Sequence, residues 1–122
     1  MSPIRKPTLD ERAGRLLPLT SAVLQILLSL STEDRHGLGI AADVKAFTDG
    51  GTVLGPGTLY GTIKRMLDAE LIDDLERPGG EDDPRRRYYR ITPLGRRTLE
   101  LETERLSALL GTAQRRRATR RP

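Results

Sequence analysis

The sequence predicts a mainly α-helical fold with a small β-hairpin, an α+β arrangement. Three observations carry this. Aliphatic residues recur at helical spacing through the first half of the chain. Two short strand-like runs flank a Pro/Gly-rich loop between residues 78 and 84. A leucine-bearing segment of more than twenty residues follows them.

Thr8-Leu-Asp-Glu11 matches a capping box, in which the Thr hydroxyl and the Glu carboxylate each accept an orphan N–H. A short helix to about Leu17 should follow, with Leu9, Ala13, Leu16 and Leu17 on one face and Pro18 as its stop. Thr20 can cap a second helix to about Ser31. Val23, Leu24, Ile26, Leu27, Leu28 and Leu30 make that helix apolar nearly all round, as a helix buried on most sides must be. Glu33 to Gly37 reads as a polar turn. A third helix is expected from Leu38 to Phe47, with Ile40, Ala41, Val44 and Phe47 at core spacing. Asp49-Gly50-Gly51 ends it, and Thr52 to Leu54 is a short extended piece.

The next helix begins at Gly55-Pro-Gly-Thr. Pro suits a first turn, where its missing N–H costs nothing. Leu59, Ile63, Met66 and Leu67 form its buried stripe, leaving Thr58, Gly61, Thr62, Lys64, Arg65 and Asp68 outside it. Leu71 to Arg77 and Arg86 to Ile91 read as paired strands. Alternation puts Arg86, Tyr88 and Arg90 on one strand face and Arg87, Tyr89 and Ile91 on the other. Tyr89 and Ile91 are expected to face the core. Thr92-Pro93 opens a last helix to about Ala113 or Arg117, about 30–37 Å long. The sequence divides as 1–18, an N-terminal extension with the short helix; 19–92, the main domain; 93–114, the closing helix; and 115–122, a mobile basic tail.

A chain of 122 residues fits one domain with a modest core. Aromatics are 3% and Trp is absent, so the core must be aliphatic. Lys and Arg number 21 against 17 Asp and Glu, a formal charge of +4, and the sequence pI is 10.0. The balance suits a polyanionic partner. Arg outnumbers Lys, and its fork matches phosphates and guanine edges, although a coding bias towards Arg explains the excess equally well. There is no Cys, which excludes disulfides and thiolate metal sites and fits a reducing cytoplasm. No apolar run reaches about 18 residues, so no membrane span is expected. Arg5 and Lys6 are not followed by an apolar core, so no secretory signal is expected.

Catalytic and metal constellations are not expected. His36 is the single histidine and reads as a turn or capping residue. Ser21, Ser29, Ser31 and Ser107 have no His suited to a triad. Gly55-Pro-Gly57 leads to Thr-Leu-Tyr rather than to a phosphate-binding Gly-Lys-Ser/Thr. No cofactor is called for, and the chain is not expected to be an enzyme.

Three helices, a strand, a loop, a strand and a helix form the order of a winged helix-turn-helix with a long C-terminal dimerisation helix. Leu19-Thr20 before an aliphatic helix, His36-Gly37, Gly55-Pro-Gly-Thr-Leu-Tyr60, Ile63 to Leu67, Leu71-Ile72 and Arg87-Tyr-Tyr-Arg-Ile-Thr-Pro-Leu-Gly95 resemble PadR-type transcriptional regulators. The resemblance covers about residues 19–110, and the single closing helix resembles the short-tailed branch. It implies a homodimeric repressor or regulator of double-stranded DNA, with a recognition helix in the major groove and a wing on the backbone. It also implies that the first and last helices make the dimer, and that a small-molecule effector can act at the dimer centre. Two departures stand out. Position 38 is Leu where the family often has an aromatic, and the wing tip Glu81-Asp-Asp83 is acidic.

The expected DNA-binding residues are Gly57, Thr58, Tyr60, Gly61, Lys64, Arg65, Arg85, Arg86 and Arg87. Gly57 and Thr58 start a helix, where free N–H groups and a hydroxyl can hold a phosphate. Gly61 allows close approach, at a helix cost of about 1 kcal/mol relative to Ala. Lys64 and Arg65 can reach phosphates or base edges, although a solvated helix face has the same composition. Tyr60 either donates to a phosphate or packs under the wing. Arg85 to Arg87 either grip the backbone or pair with Glu81 to Asp83 across the hairpin. The expected dimer residues are Leu24, Leu27, Leu28, Leu99, Leu106, Leu109 and Leu110, because an overhanging leucine seam is usually covered by a partner. With no Trp and one Phe, an effector cavity would be mainly aliphatic, lined from residues 20–31 and 93–113. The competing reading is a winged-helix module for protein–protein contact, with only electrostatic affinity for DNA.

Overall fold

Five helices and a three-stranded antiparallel sheet make up the computed structural model, which describes residues 4–75 and 87–120. The elements run α1 (Leu9–Arg15), α2 (Ser21–Leu30), β1 (Arg35–His36), α3 (Gly37–Phe47), α4 (Pro56–Asp68), β2 (Ile72–Leu75), β3 (Tyr88–Ile91) and α5 (Pro93–Thr119). The sheet order is β1-β3-β2.

Local chemistry sets most helix starts. Thr8 caps α1 through the full box with Glu11, and Thr20 caps α2 through the Val23 amide. Thr92 accepts the Gly95 amide at 3.0 Å, while its own hydroxyl donates to Glu70 O at 2.7 Å and Leu71 O at 3.0 Å. One threonine thus caps α5 and fastens it to the turn between α4 and β2. His36 caps α3, with Nδ1 accepting the Gly39 amide at 2.9 Å, one of the two roles, turn or cap, expected of it.

The core is aliphatic, as the composition requires. Ile26, Leu27 and Leu30 of α2 meet Ile40 and Val44 of α3, Leu59, Ile63 and Met66 of α4, and Leu71, Ile72, Tyr89, Ile91, Leu94 and Leu99. Tyr89 and Ile91 face it, as alternation along β3 requires. Ala13 of α1 is fully buried. Outside that contact, Arg97 of α5 grips Asp10 at 2.8 and 3.3 Å and Glu100 at 2.9 Å.

Several expectations are corrected. Residues 33–37 are not simply a turn: Arg35 and His36 form β1, paired with Tyr89 and Tyr88 of β3. A two-residue strand is too short to show periodicity. Phe47, expected in the core, is 45% exposed, and Thr62, expected outside it, is fully buried. Methyl-bearing Thr fits an apolar face as well as a polar one. The helical end also lies further on. α5 passes through Arg115–Arg117 to Thr119, about 40 Å in all, so residues 115–119 are not a tail distinct from the helix. Arg is a good helix former and suits the negative C-terminal end of the dipole; the absence of apolar periodicity there signals an unburied helix rather than no helix.

Candidate nucleic-acid interface

α4 presents two chemically different faces. Leu59, Thr62, Ile63 and Met66 are buried against α2, α3 and β2, with Leu67 packed beside them. Gly57, Thr58, Lys64 and Arg65 are exposed, and Gly61 is half-buried. The N-cap is Gly55, and no side chain closes the first turn. The first N–H groups of α4 are therefore available to an anion, at the positive end of the helix.

The glycines of this face are not required by the fold. A Cβ at Gly55 or Gly57 would meet nothing within 4 Å, and one at Gly61 would meet only Arg65 Nη1 at 3.8 Å. The outer surface of α4 is thus open to a close-packed partner. Gly37 is the contrast: a Cβ there would lie 2.8 Å from Cε1 and the hydroxyl of Tyr60. Tyr60 uses that space, seating its ring against the start of α3. Its hydroxyl is buried with no hydrogen-bond partner among the described residues. This placement, against the start of α3, is that of a packing residue.

The cations near α4 fall into two groups. Lys64 and Arg65 are exposed and make no ion pair among the described residues; Arg65 donates only to the Thr62 hydroxyl, at 3.2 Å. Arg87 is exposed but donates to Asp74 on β2 at 2.8 Å. That partner differs from the acidic wing tip considered above. Arg85, Arg86 and Glu81 to Asp83 lie outside the described residues.

The expected dimer residues also separate. Leu27 and Leu99 lie in the protomer's own core, and Leu24 is half-buried against it. Leu28, Leu106, Leu109 and Leu110 are 40%, 38%, 54% and 59% exposed. The core residues position α2 and α5, while the exposed four remain unpartnered apolar surface.

Sequence reasoning missed Glu102. It is 1% exposed, accepts the Leu19 amide at 2.7 Å and pairs with Arg105. The Arg105 guanidinium, followed by the Leu19 amide, holds its carboxyl below the usual range, against the opposing effect of burial. Glu102 and Arg105 stand three residues apart, a spacing that usually marks a surface pair. Among the described residues, no group of three or more His, Cys, Asp or Glu could hold a metal ion. No helix of the described residues is long and apolar enough to cross a membrane.

Residues 26–101 match the model of the transcriptional regulator PadR-like family. The chain belongs to that family. The chain is also 34% identical over 90 residues to an uncharacterized 37.1 kDa protein in transposon TN4556 of Streptomyces fradiae. The match takes in 74% of the chain but 24% of that protein, so the chain spans about a quarter of its relative's length. A transcriptional regulator from Clostridium thermocellum is similar in structure, with a TM-score of 0.66 and 26% identity over 80% of this chain and 96% of that one. A PadR family transcription regulator from Clostridium difficile shares the fold at a TM-score of 0.67 and 24% identity, covering 79% of this chain and 97% of that one. The winged-helix arrangement expected from the sequence is the fold of these relatives. The family is one of transcription regulators rather than enzymes.

Proposed function

We propose that the chain is a homodimeric DNA-binding repressor that reads a palindromic operator through α4. The observation carrying this reading is the outer face of α4. It combines an uncapped N-terminus, glycines that packing does not require, and two cations without acidic partners among the described residues. Such a face can lie close to a groove, with its amides and cations meeting phosphates and base edges. Membership of a regulator family makes double-stranded DNA the fitting partner.

The exposed leucines of α2 and α5 support the dimer. A two-fold through that seam would set two α4 helices on half-sites about one turn, roughly 34–36 Å, apart. A small-molecule effector would act on the same seam, through a mainly aliphatic pocket lined from residues 20–31 and 93–113. The cytoplasm is the compartment this role requires. The deciding experiment is selection of bound sequences from a random duplex pool at moderate salt. Enrichment of an inverted repeat is expected. A pool that stays random removes sequence specificity and leaves a protein–protein module with electrostatic DNA affinity.

A further inference from the structure

Gly37 is buried in the first turn of α3, and its backbone is not in the left-handed region that favours glycine. What excludes a side chain there is Tyr60. A Cβ on Gly37 would lie 2.8 Å from Cε1 and the hydroxyl oxygen of Tyr60 and 3.0 Å from Cζ. The ring arriving from α4 requires the glycine; the conformation of α3 does not. The seat is also fixed. His36, the neighbour of Gly37, pairs with Tyr88 of β3 and accepts the Gly39 amide at 2.9 Å. The start of α3 therefore cannot give way without disturbing the sheet.

Tyr60 stands at a border on α4. At about 100° per residue, it lies at the edge of the stripe made by Leu59, Thr62, Ile63 and Met66, and one turn before the exposed Lys64. The stripe holds α4 by apolar contact, which is non-directional and resists rolling only weakly. On the other flank, Arg65 donates to the Thr62 hydroxyl of its own helix at 3.2 Å, a bond that restrains nothing outside α4. The Tyr60 ring against Gly37 is a hard contact between α4 and α3. A roll of about 20° would carry a side-chain tip about 5–6 Å from the helix axis by about 2 Å. That displacement takes a base-reading side chain out of hydrogen-bond range.

We propose that Tyr60 is a positioning residue: with Gly37 as its seat, it sets the roll of α4, and so the register in which the outer face of α4 reads bases. The proposal rests on the reading of α4 as the recognition helix. The ring acts through Lys64, Arg65 and the first-turn amides, without touching DNA itself. Phosphate contacts on random duplex tolerate a roll of α4, because a cation on a flexible stem still finds the backbone. Contacts to base edges do not tolerate it. Loss of the stop therefore lowers the preference for the operator rather than the affinity for duplex as such.

The test measures the ratio of affinities for the selected operator and for random duplex, at a temperature well below each thermal midpoint. The variants are Tyr60→Phe, Tyr60→Leu, Gly37→Ala and the double variant Gly37→Ala with Tyr60→Leu. Tyr60→Phe keeps the ring and should keep the wild-type ratio. Tyr60→Leu stays apolar but does not reach Gly37, and Gly37→Ala expels the ring. Each should lower the ratio by about five-fold or more, the worth of one base contact, with random-duplex affinity little changed. The double variant should match Tyr60→Leu, since the added methyl then meets no ring. A loss with Tyr60→Phe overturns the proposal, because the hydroxyl would then be meeting DNA directly. So does a wild-type ratio in folded Tyr60→Leu and Gly37→Ala, which makes the contact packing alone, and so do losses that add in the double variant. Lys64→Ala and Arg65→Ala check the reading beneath it. If they weaken binding while Tyr60→Leu and Gly37→Ala keep the ratio, the proposal alone falls. If none of the variants alters binding, the α4 reading falls with it.

Discussion

The Glu102 carboxylate accepts the Leu19 amide at 2.7 Å across 83 positions of sequence. This bond ties the α1–α2 linker to the middle of α5, just before α5 leaves the core. Breaking it should loosen the base of the overhanging helix. Glu102→Leu deprives a partly buried amide of its acceptor and Arg105 of its counter-charge, at a cost of about 1–3 kcal/mol. Glu102→Gln keeps an acceptor for Leu19 and should cost less. Denaturant melts at neutral pH measure both.

The same residue predicts an acid limb. Its folded-state pKa is lowered from an ordinary value of 4.5. The stabilisation is therefore fully present above about pH 4.5 and is lost as pH falls through the lowered folded value. Wild-type stability should drop below about pH 4.5, and Glu102→Gln should show a shallower drop there. Parallel pH profiles for the two proteins would remove Glu102 from the acid limb.

Gly95 sets how closely α5 can begin. A Cβ on Gly95 would lie 2.1 Å from the Leu71 carbonyl oxygen and 2.9 Å from Ile91 Cγ1. The first obstacle is backbone, which cannot rotate aside. Gly95→Ala should destabilise by about 1–3 kcal/mol or more, despite the better helix propensity of Ala. A thermal midpoint equal to the wild type's would show that α5 can stand further off at no cost.

Tyr60 offers a direct choice between packing and phosphate contact. Its buried hydroxyl has no partner among the described residues, so Tyr60→Phe should be neutral or up to about 1 kcal/mol stabilising. Operator affinity should not change. A several-fold loss of affinity would mean that the ring turns outward on DNA.

Lys64 and Arg65 carry the salt dependence in the proposed interface. Each change to Ala should reduce the magnitude of the slope by about 0.9 if the residue meets one phosphate. Stability should barely move, since neither makes an ion pair among the described residues. Salt titrations on operator DNA separate a phosphate contact from a solvated face.

Leu109 and Leu110 test the dimer. Both are exposed in the protomer, so changing both to Glu should preserve the fold while removing the apolar seam. Sedimentation should show a monomer with normal helical content, and operator binding should fall sharply. A dimer that persists would place the interface elsewhere.

Local chemistry made much of this legible in the sequence. Thr8, Thr20 and Thr92 announce three helices, because a cap is a contact within four residues. The aliphatic stripe of α4 and the Tyr89/Ile91 face of β3 follow from periodicities of 3.6 and 2. The outward positions of Gly57, Thr58, Lys64 and Arg65 follow from the same arithmetic. Tertiary structure alone decided what those periodicities do not encode. Arg35 and His36 become a strand because β3 is there to pair with them. Tyr60 turns inward because Gly37 leaves room for its ring. Asp74 holds Arg87, and Glu102 holds Leu19, through contacts between residues far apart in sequence. Short-range propensities and caps act within a turn or two of the chain. Which acid meets which base, and which leucine is covered, depends on how whole elements pack, and that is settled by the shape of the shared core.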